Sequence, residues 1–169
     1  MSFTADRAQL RLRTQAFVDG EYVDAASGAT FDCVNPATGE TLAAVAACDA
    51  EDVDRAVAGA RRAFESGAWS RSAPRERKRV LRRLAELIDE HRDELALTET
   101  LDTGKPIRDS RGVDLPLSAE TIAYYAEAID KVYDEIAPTD PSMVTMIVRE
   151  PVGVVGAVVP WNFPLMMAA

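Results

Sequence analysis

The chain has 169 residues, 47% hydrophobic and 28% charged, a balance that suits one globular domain with its own core. A formal net charge of −9 excludes the basic surface with which nucleic-acid binders displace counterions. Two cysteines, Cys33 and Cys48, without a CxxC, and a single histidine, His91, exclude a disulfide framework, a zinc site and a histidine-based triad within this chain.

The elements follow in chain order. Met1 to Thr14 carries Arg7, Arg11 and Arg13 and lacks the apolar run of a signal peptide, so a cytoplasmic protein is expected. Phe17 and Val18, then Asp19-Gly20, then Tyr22 and Val23 spell a hairpin, because Asp-Gly suits a two-residue turn. A second hairpin runs from Thr30–Val34 through Asn35-Pro36-Ala37-Thr38-Gly39 to Thr41–Ala47. Asp49 caps a helix, with Asp52 completing a capping box. Val53, Val57, Ala60 and Phe64 make its apolar stripe and Gly67 its stop. Ser72 is expected to cap the next helix, with Pro74 in its first turn. Val80, Leu81, Leu84, Leu87 and Ile88 form its inner face, and the pattern continues through Leu95 and Leu101 to Gly104. A third helix is expected from Asp114 to Tyr133, with Ile122, Tyr125, Ile129 and Val132 inward.

The pattern then returns to β. Met143–Arg149 reads as a strand of alternating exposure. Val152–Val159 is a β-branched apolar run, expected as a strand covered on both faces in a parallel sheet. The apolar stretch Val152–Ala169 is broken by Pro160, Asn162 and Pro164 and loosened by Gly153 and Gly156. A strand, a loop and a new helix therefore fit it better than a membrane span. Pro164 opens a helix of about six residues, too short to stand alone, which suggests truncation.

Several motifs invite chemistry. Arg71, Arg75, Arg77, Lys78, Arg82 and Arg83 read as a solvated helix face with acidic partners rather than a phosphate site, since the chain is acidic. Thr103-Gly104-Lys105 fails as a P-loop, because Glu99 and Pro106 stand where glycine and Ser or Thr are needed. Cys33 and Cys48 have no neighbouring histidine and read as buried structural thiols, and His91 as an exposed helix residue. Pro160-Trp161-Asn162-Phe163-Pro164 lies just past an apolar strand, where ligands bind in parallel α/β sheets. Asn162 is either a neutral amide donor for an oxyanion or the capping residue of a plain turn. Spacing alone does not separate the two.

Four segments together resemble the aldehyde dehydrogenase superfamily, in order and at its spacing: Val34–Glu40, Glu99–Pro106, Glu150–Val154 and Pro160–Pro164. The likeness runs from about Phe17 to the last residue. Within it, Tyr125–Ile136 is most similar to the γ-glutamyl-γ-aminobutyraldehyde and betaine-aldehyde dehydrogenase branch. The resemblance implies an α/β fold in which β-hairpins, then helices, lead to the first strand of a Rossmann-like parallel sheet. It divides the chain into residues 1–140, part of a cofactor-binding domain, 141–151, an oligomerisation-type strand, and 152–169, the truncated start of the Rossmann-like sheet.

The resemblance also implies an activity: oxidation of a small-molecule aldehyde to a carboxylic acid through a cysteine thioester, with NAD or NADP as hydride acceptor. The enzyme would be a cytoplasmic homodimer or homotetramer with no nucleic-acid or membrane partner. On this likeness Asn162 is the side-chain half of the oxyanion hole. Val158, Val159, Pro160 and Trp161 wall the nicotinamide site, and Val113, Leu117, Phe163 and Met166 line the aldehyde tunnel. Asp102, with the backbone at Cys33 and Val34, matches a monovalent-cation site, although Cys33 stands where threonine is usual. The nucleophilic cysteine, base glutamate, phosphate-binding lysine and glycine-rich loop fall beyond residue 169, so the chain alone is expected to be inactive. A scaffold derived from the fold and a coenzyme A-acylating dehydrogenase are the alternatives.

Overall fold

In the computed structural model, residue 8 and residues 10–169 are described, so the reading of residues 1–7 and 9 lies outside the described residues. Strands β1 (Ala16–Val18) and β2 (Glu21–Val23) pair antiparallel with Ala16 opposite Val23. Asp19 and Gly20 turn between them with φ of 55° and 90°, the left-handed values that asparagine-like and glycine residues tolerate. Strands β3 (Thr30–Val34) and β4 (Thr41–Ala46) form the second hairpin, with a bulge at Cys33/Val34. In its turn the Asn35 carboxamide accepts from the Ala37 N–H at 2.9 Å.

Helix α1 (Ala50–Ser66) starts on the expected capping box and stops at Gly67, φ 78°. Its inward residues are Asp52 and Gly59, whereas Val53, Val57 and Ala60 face solvent, so the expected stripe is rotated off the contact. The reason is polar. The Asp52 carboxylate accepts from the backbone N–H of Asp49 at 3.1 Å and of Ala26 at 2.9 Å, tying the β2–β3 connection to the helix start. Bare Gly59 meanwhile lets the Asp19 turn approach, and Arg62 pairs with Asp19 at 2.7 Å.

Helix α2 (Pro74–Glu90) is capped by the extended residue Ala73 and not by Ser72, whose hydroxyl instead donates back to the Trp69 carbonyl. The following helical pattern is two helices, not one. His91 (φ −100°, ψ 17°) breaks it, and α3 runs from Arg92 to Thr103 before Gly104, φ 78°, ends it. His91 is exposed, as expected, but at a junction. A short helix α4 (Ile107–Asp109) leads through a π-turn, Ser110–Asp114, into α5 (Leu115–Ala128), which therefore ends earlier than expected.

The core lies between α2, α3 and α5: Ala85 and Ile88, Ala96, and Leu115 and Ala119, with Leu165 packed against them. Small residues occupy much of it. On α2, Val80, Leu84 and Leu87 stay substantially exposed while Ala85 is buried. On α5, Ala126 is buried and Tyr125 faces out. Around this core Lys78 bridges Glu127 (2.7 Å) and Asp130 (3.1 Å), and Arg82 reaches Glu127 (3.0 Å). The basic face thus does find acidic partners, and some of them lie on another helix.

Strands β5 (Glu135–Ala137) and β6 (Thr145–Ile147) make a third hairpin. The strand expected over Met143–Arg149 is only three residues long and all of it is exposed. Its partner β5 gave no alternating signal. Val152–Val159 pairs with no strand among the described residues, against the expectation of a doubly covered strand, and Val158 is 103% exposed. A strand exists by hydrogen-bonding to a neighbour, and none stands beside this run. The chain then closes with α6 (Pro164–Ala168), which opens on Pro164 as expected. No helix among the described residues is long and apolar enough to cross a membrane.

Candidate active site

Two groups of the sequence-marked residues are linked through Lys105, by Phe163 in one and by Asp114, the chain neighbour of Val113, in the other. The first is the segment Pro160–Pro164. Trp161 (78% exposed), Val158 and Asn162 face solvent, while Phe163 and Met166 are half-buried. The Asn162 amide makes no hydrogen bond among the described residues, and the residue at the N-cap of α6 is Phe163. The plain capping role is therefore not the one Asn162 plays. The second group is Val113 and Leu117, both exposed, on either side of the junction between the π-turn and α5.

Lys105 joins them. It leaves helix α3 just past the Gly104 cap and is only 16% exposed. Its ammonium donates to Glu99 Oε1 at 3.0 Å and to the Asp114 carboxylate, and lies 4.3 Å from the centroid of the Phe163 ring. Glu99 and Asp114 are 5% and 3% exposed, so the three charges are nearly dry. Burial pulls the Lys105 ammonium down, but its bonds to Asp114 and Glu99 outweigh this and raise it, so it stays a cation. Burial, and then the neighbouring Asp114, push the Glu99 carboxyl up. The π-turn that delivers Asp114 is pinned by Ser110, whose hydroxyl lies 2.9 Å from that of Thr100, and by Arg111 on Asp93. Such bulges often mark functional positions in helices.

This cluster is what sequence reasoning missed. Lys105 enters there only as part of a failed P-loop and of the Glu99–Pro106 segment, without a role of its own, and Asp114 only as a helix start. The usable signal was a lysine directly after a helix-ending glycine, with a glutamate six residues before it on the same helix.

Cys33 and Asp102 do meet. The Cys33 Sγ donates to Asp102 Oδ1 at 3.2 Å, at the rim of a groove of about 510 Å³ that Leu42, Leu95 and Leu165 also line. Cys33 is half-buried rather than buried. Burial, then Asp102, push its thiol up, which keeps it protonated. The Asp102 carboxylate, which with the backbone at Cys33 and Val34 was expected to offer oxygen ligands to a monovalent cation, here accepts the thiol proton. Cys48 is exposed, not buried, because it lies beyond the end of β4. No cluster of three or more His, Cys, Asp or Glu side chains suited to a metal occurs among the described residues.

Val158, Val159, Pro160 and Trp161 fit one wall of a nicotinamide site: they are apolar, and they are exposed on a proline-bounded segment. The chain carries no GxGxxG turn to take a pyrophosphate.

The sequence profile of the aldehyde dehydrogenase family matches residues 22–169. The aminoacetaldehyde dehydrogenase of Pseudomonas aeruginosa is 57% identical over 167 residues, which is 99% of this chain and 34% of that protein. The indole-3-acetaldehyde dehydrogenase of P. syringae, solved with NAD+ and IAA, superposes with a TM-score of 0.94 at 56% identity, covering 96% of this chain and 33% of that one. The γ-glutamyl-γ-aminobutyraldehyde dehydrogenase of Burkholderia cenocepacia gives the same TM-score of 0.94, identity of 56% and coverages of 96% and 33%. The chain thus spans about a third of the length of the relatives it matches. Its short hairpins followed by helices correspond to the N-terminal part of their fold. On the profile match, the sequence identity and the superposition together, the chain belongs to the aldehyde dehydrogenase family.

Proposed function

We propose that this chain supplies the oxyanion donor and one side of the aldehyde tunnel to an NAD(P)-dependent aldehyde dehydrogenase that oxidises an aldehyde to a carboxylic acid through a cysteine thioester. The observation that carries the reading is Asn162. Its amide is exposed and unbonded among the described residues, on a segment held by Pro160, by Pro164 and by the seating of Phe163 on Lys105. A carbonyl oxygen is nearly neutral before nucleophilic attack and anionic after it. A neutral donor held at that position therefore stabilises the later state more than the earlier one. Val113, Leu117, Phe163 and Met166 would line the approach, an apolar wall suited to the carbon skeleton of the aldehyde.

The nicotinamide cofactor, when bound, supplies the hydride acceptor. Val158, Val159, Pro160 and Trp161 would face it and exclude water from that side. The relatives' names, aminoacetaldehyde and γ-glutamyl-γ-aminobutyraldehyde dehydrogenase, support an amino-substituted aliphatic aldehyde as the substrate class. We further propose a cytoplasmic homo-oligomer, in which β6 pairs across the subunit boundary, and the three-part division at residues 140/141 and 151/152.

The test is Asn162→Ala in the full-length protein. Losing one oxyanion donor costs about 10²–10³ in kcat, with KM changed far less. Asn162→Asp should be slower still, because a carboxylate repels both the attacking thiolate and the forming alkoxide. Steady-state kinetics with circular dichroism as the folding control decide it. A folded Asn162→Ala enzyme with kcat within about threefold of wild type, under 1 kcal/mol of barrier, would refute the assignment.

A further inference from the structure

We propose that Lys105 is a positioning residue for the oxidation, a buried cation that clamps the two walls of the aldehyde tunnel together and so sets the aim of Asn162; this rests on the oxyanion reading above. The geometry is a three-way junction. Glu99 on α3 and Asp114 on the π-turn grip the ammonium from one side, and the Phe163 ring covers it at 4.3 Å from the other. Val113 precedes Asp114 in the chain and Asn162 precedes Phe163. The Asp114 and Phe163 contacts are therefore each one residue from a tunnel or oxyanion position.

Two features argue that this is more than packing. The first is that helix α6 is only five residues long and its N-cap makes no side-chain hydrogen bond, so it cannot hold the Pro160–Pro164 segment by itself. Leu165 fixes the far side of that helix on the core, and the contact on Lys105 is the polar anchor on the near side. The second is that a cation over an aromatic face is attracted strongly only where water is excluded, and both carboxylates here are nearly dry. The two carboxylates also fix the ammonium in place, so the ring is held against a stationary charge. A lysine on the surface would give no such reference point.

The experiment is a kinetic double-mutant cycle on the full-length enzyme with Lys105→Met and Phe163→Leu, alongside Phe163→Tyr and Asn162→Ala. Loss of aim by about 1 Å can cost ~10²-fold in rate. Lys105→Met is therefore expected to lower kcat per folded active site by about 10- to 100-fold, with KM changed much less. Because both residues act through one contact, the double variant should be no slower than the slower single variant. Phe163→Tyr, which keeps the ring face, should lose less kcat than Phe163→Leu. Lys105→Met with a lower Tm but unchanged kcat per folded site overturns the proposal and leaves the lysine a structural ion pair. Additive losses in the double variant overturn it too. If Lys105→Met does not fold, the Phe163 pair decides: a leucine variant slower than the tyrosine variant supports the clamp, and equal rates overturn it. A slow Asn162→Ala beside a fully active Lys105→Met refutes the clamp alone. A fast Asn162→Ala refutes the oxyanion reading and the clamp with it.

Discussion

Gly104→Ala separates two costs that usually arrive together. The residue sits at φ 78°, and a Cβ added there would lie 2.8 Å from Cγ of Pro36, closer than such atoms pack. The left-handed conformation alone costs a residue with a Cβ roughly 1–2 kcal/mol. The clash adds the penalty of an overpacked contact, roughly 1–3 kcal/mol, because the proline ring belongs to the β3–β4 turn and cannot rotate away. The sum is about 2–5 kcal/mol. Gly39 offers the control: its φ is 74°, yet nothing stands within 4 Å of where its Cβ would be, so Gly39→Ala should cost only the conformational part. Urea unfolding followed by circular dichroism gives both values. Pairing Gly104→Ala with Pro36→Ala should recover much of the difference. If Gly104→Ala costs no more than Gly39→Ala, the hairpin turn does not press on the helix end and the contact has been misread.

Leu115 is fully buried at the start of α5, so Leu115→Ala should cost about 3–5 kcal/mol in the same titration, while Val155→Ala, on the exposed run, should change it by under ~0.5 kcal/mol. Asp52 is held below the ordinary aspartate range, first by the backbone N–H of Asp49 and also by Arg55 and Ala26. Its unfolded form therefore binds the proton first. The stability it gives is present above the unfolded pKa and lost as pH falls through the lower folded one. Asp52→Asn should accordingly trail wild type at neutral pH and converge with it on acidification, and a gap that stays constant with pH would contradict this. Residues 1–169 alone should turn over no aldehyde, since thioester chemistry needs an activated nucleophile and Cys33 is held protonated on Asp102. Formation of reduced cofactor above a blank, followed by absorbance, would contradict that reading.

Local chemistry was legible, and covering neighbours were not. Asp19-Gly20, the Asp49/Asp52 capping box and the stops at Gly67 and Gly104 are each decided within a few residues, and each stands where the chain places it. The inward face of α1 was misread because its contact is made by a carboxylate and a glycine, while periodicity weighs only apolar residues. His91 hid the break between α2 and α3 because nothing in its identity forbids a helix. The extended run Val152–Val159 has the composition of a buried strand, but composition cannot supply the neighbouring strand that defines one. At the site, Asn162 and Phe163 were singled out as candidates by the four-motif likeness. Lys105 was not, since its partners Asp114 and Phe163 come together only after the π-turn and α6 have packed.

The hairpins carry a kinetic consequence. The three sheets among the described residues all join strands adjacent in the chain, with Ala16 meeting Val23, Thr30 meeting Ala46 and Ala137 meeting Thr145. Units this local form within about 1–10 μs and need nothing synthesised later. The packing of α5 on α2 is different. Its ion pair between Lys78 and Asp130 spans 52 residues and must bring together helices separated by all of α3. Closing that loop precedes any reward from Leu115 and Ala119, so it is expected to be slower than any hairpin. On the ribosome, the first two hairpins will already be waiting when α5 emerges to find its partner, and the β5–β6 hairpin follows it.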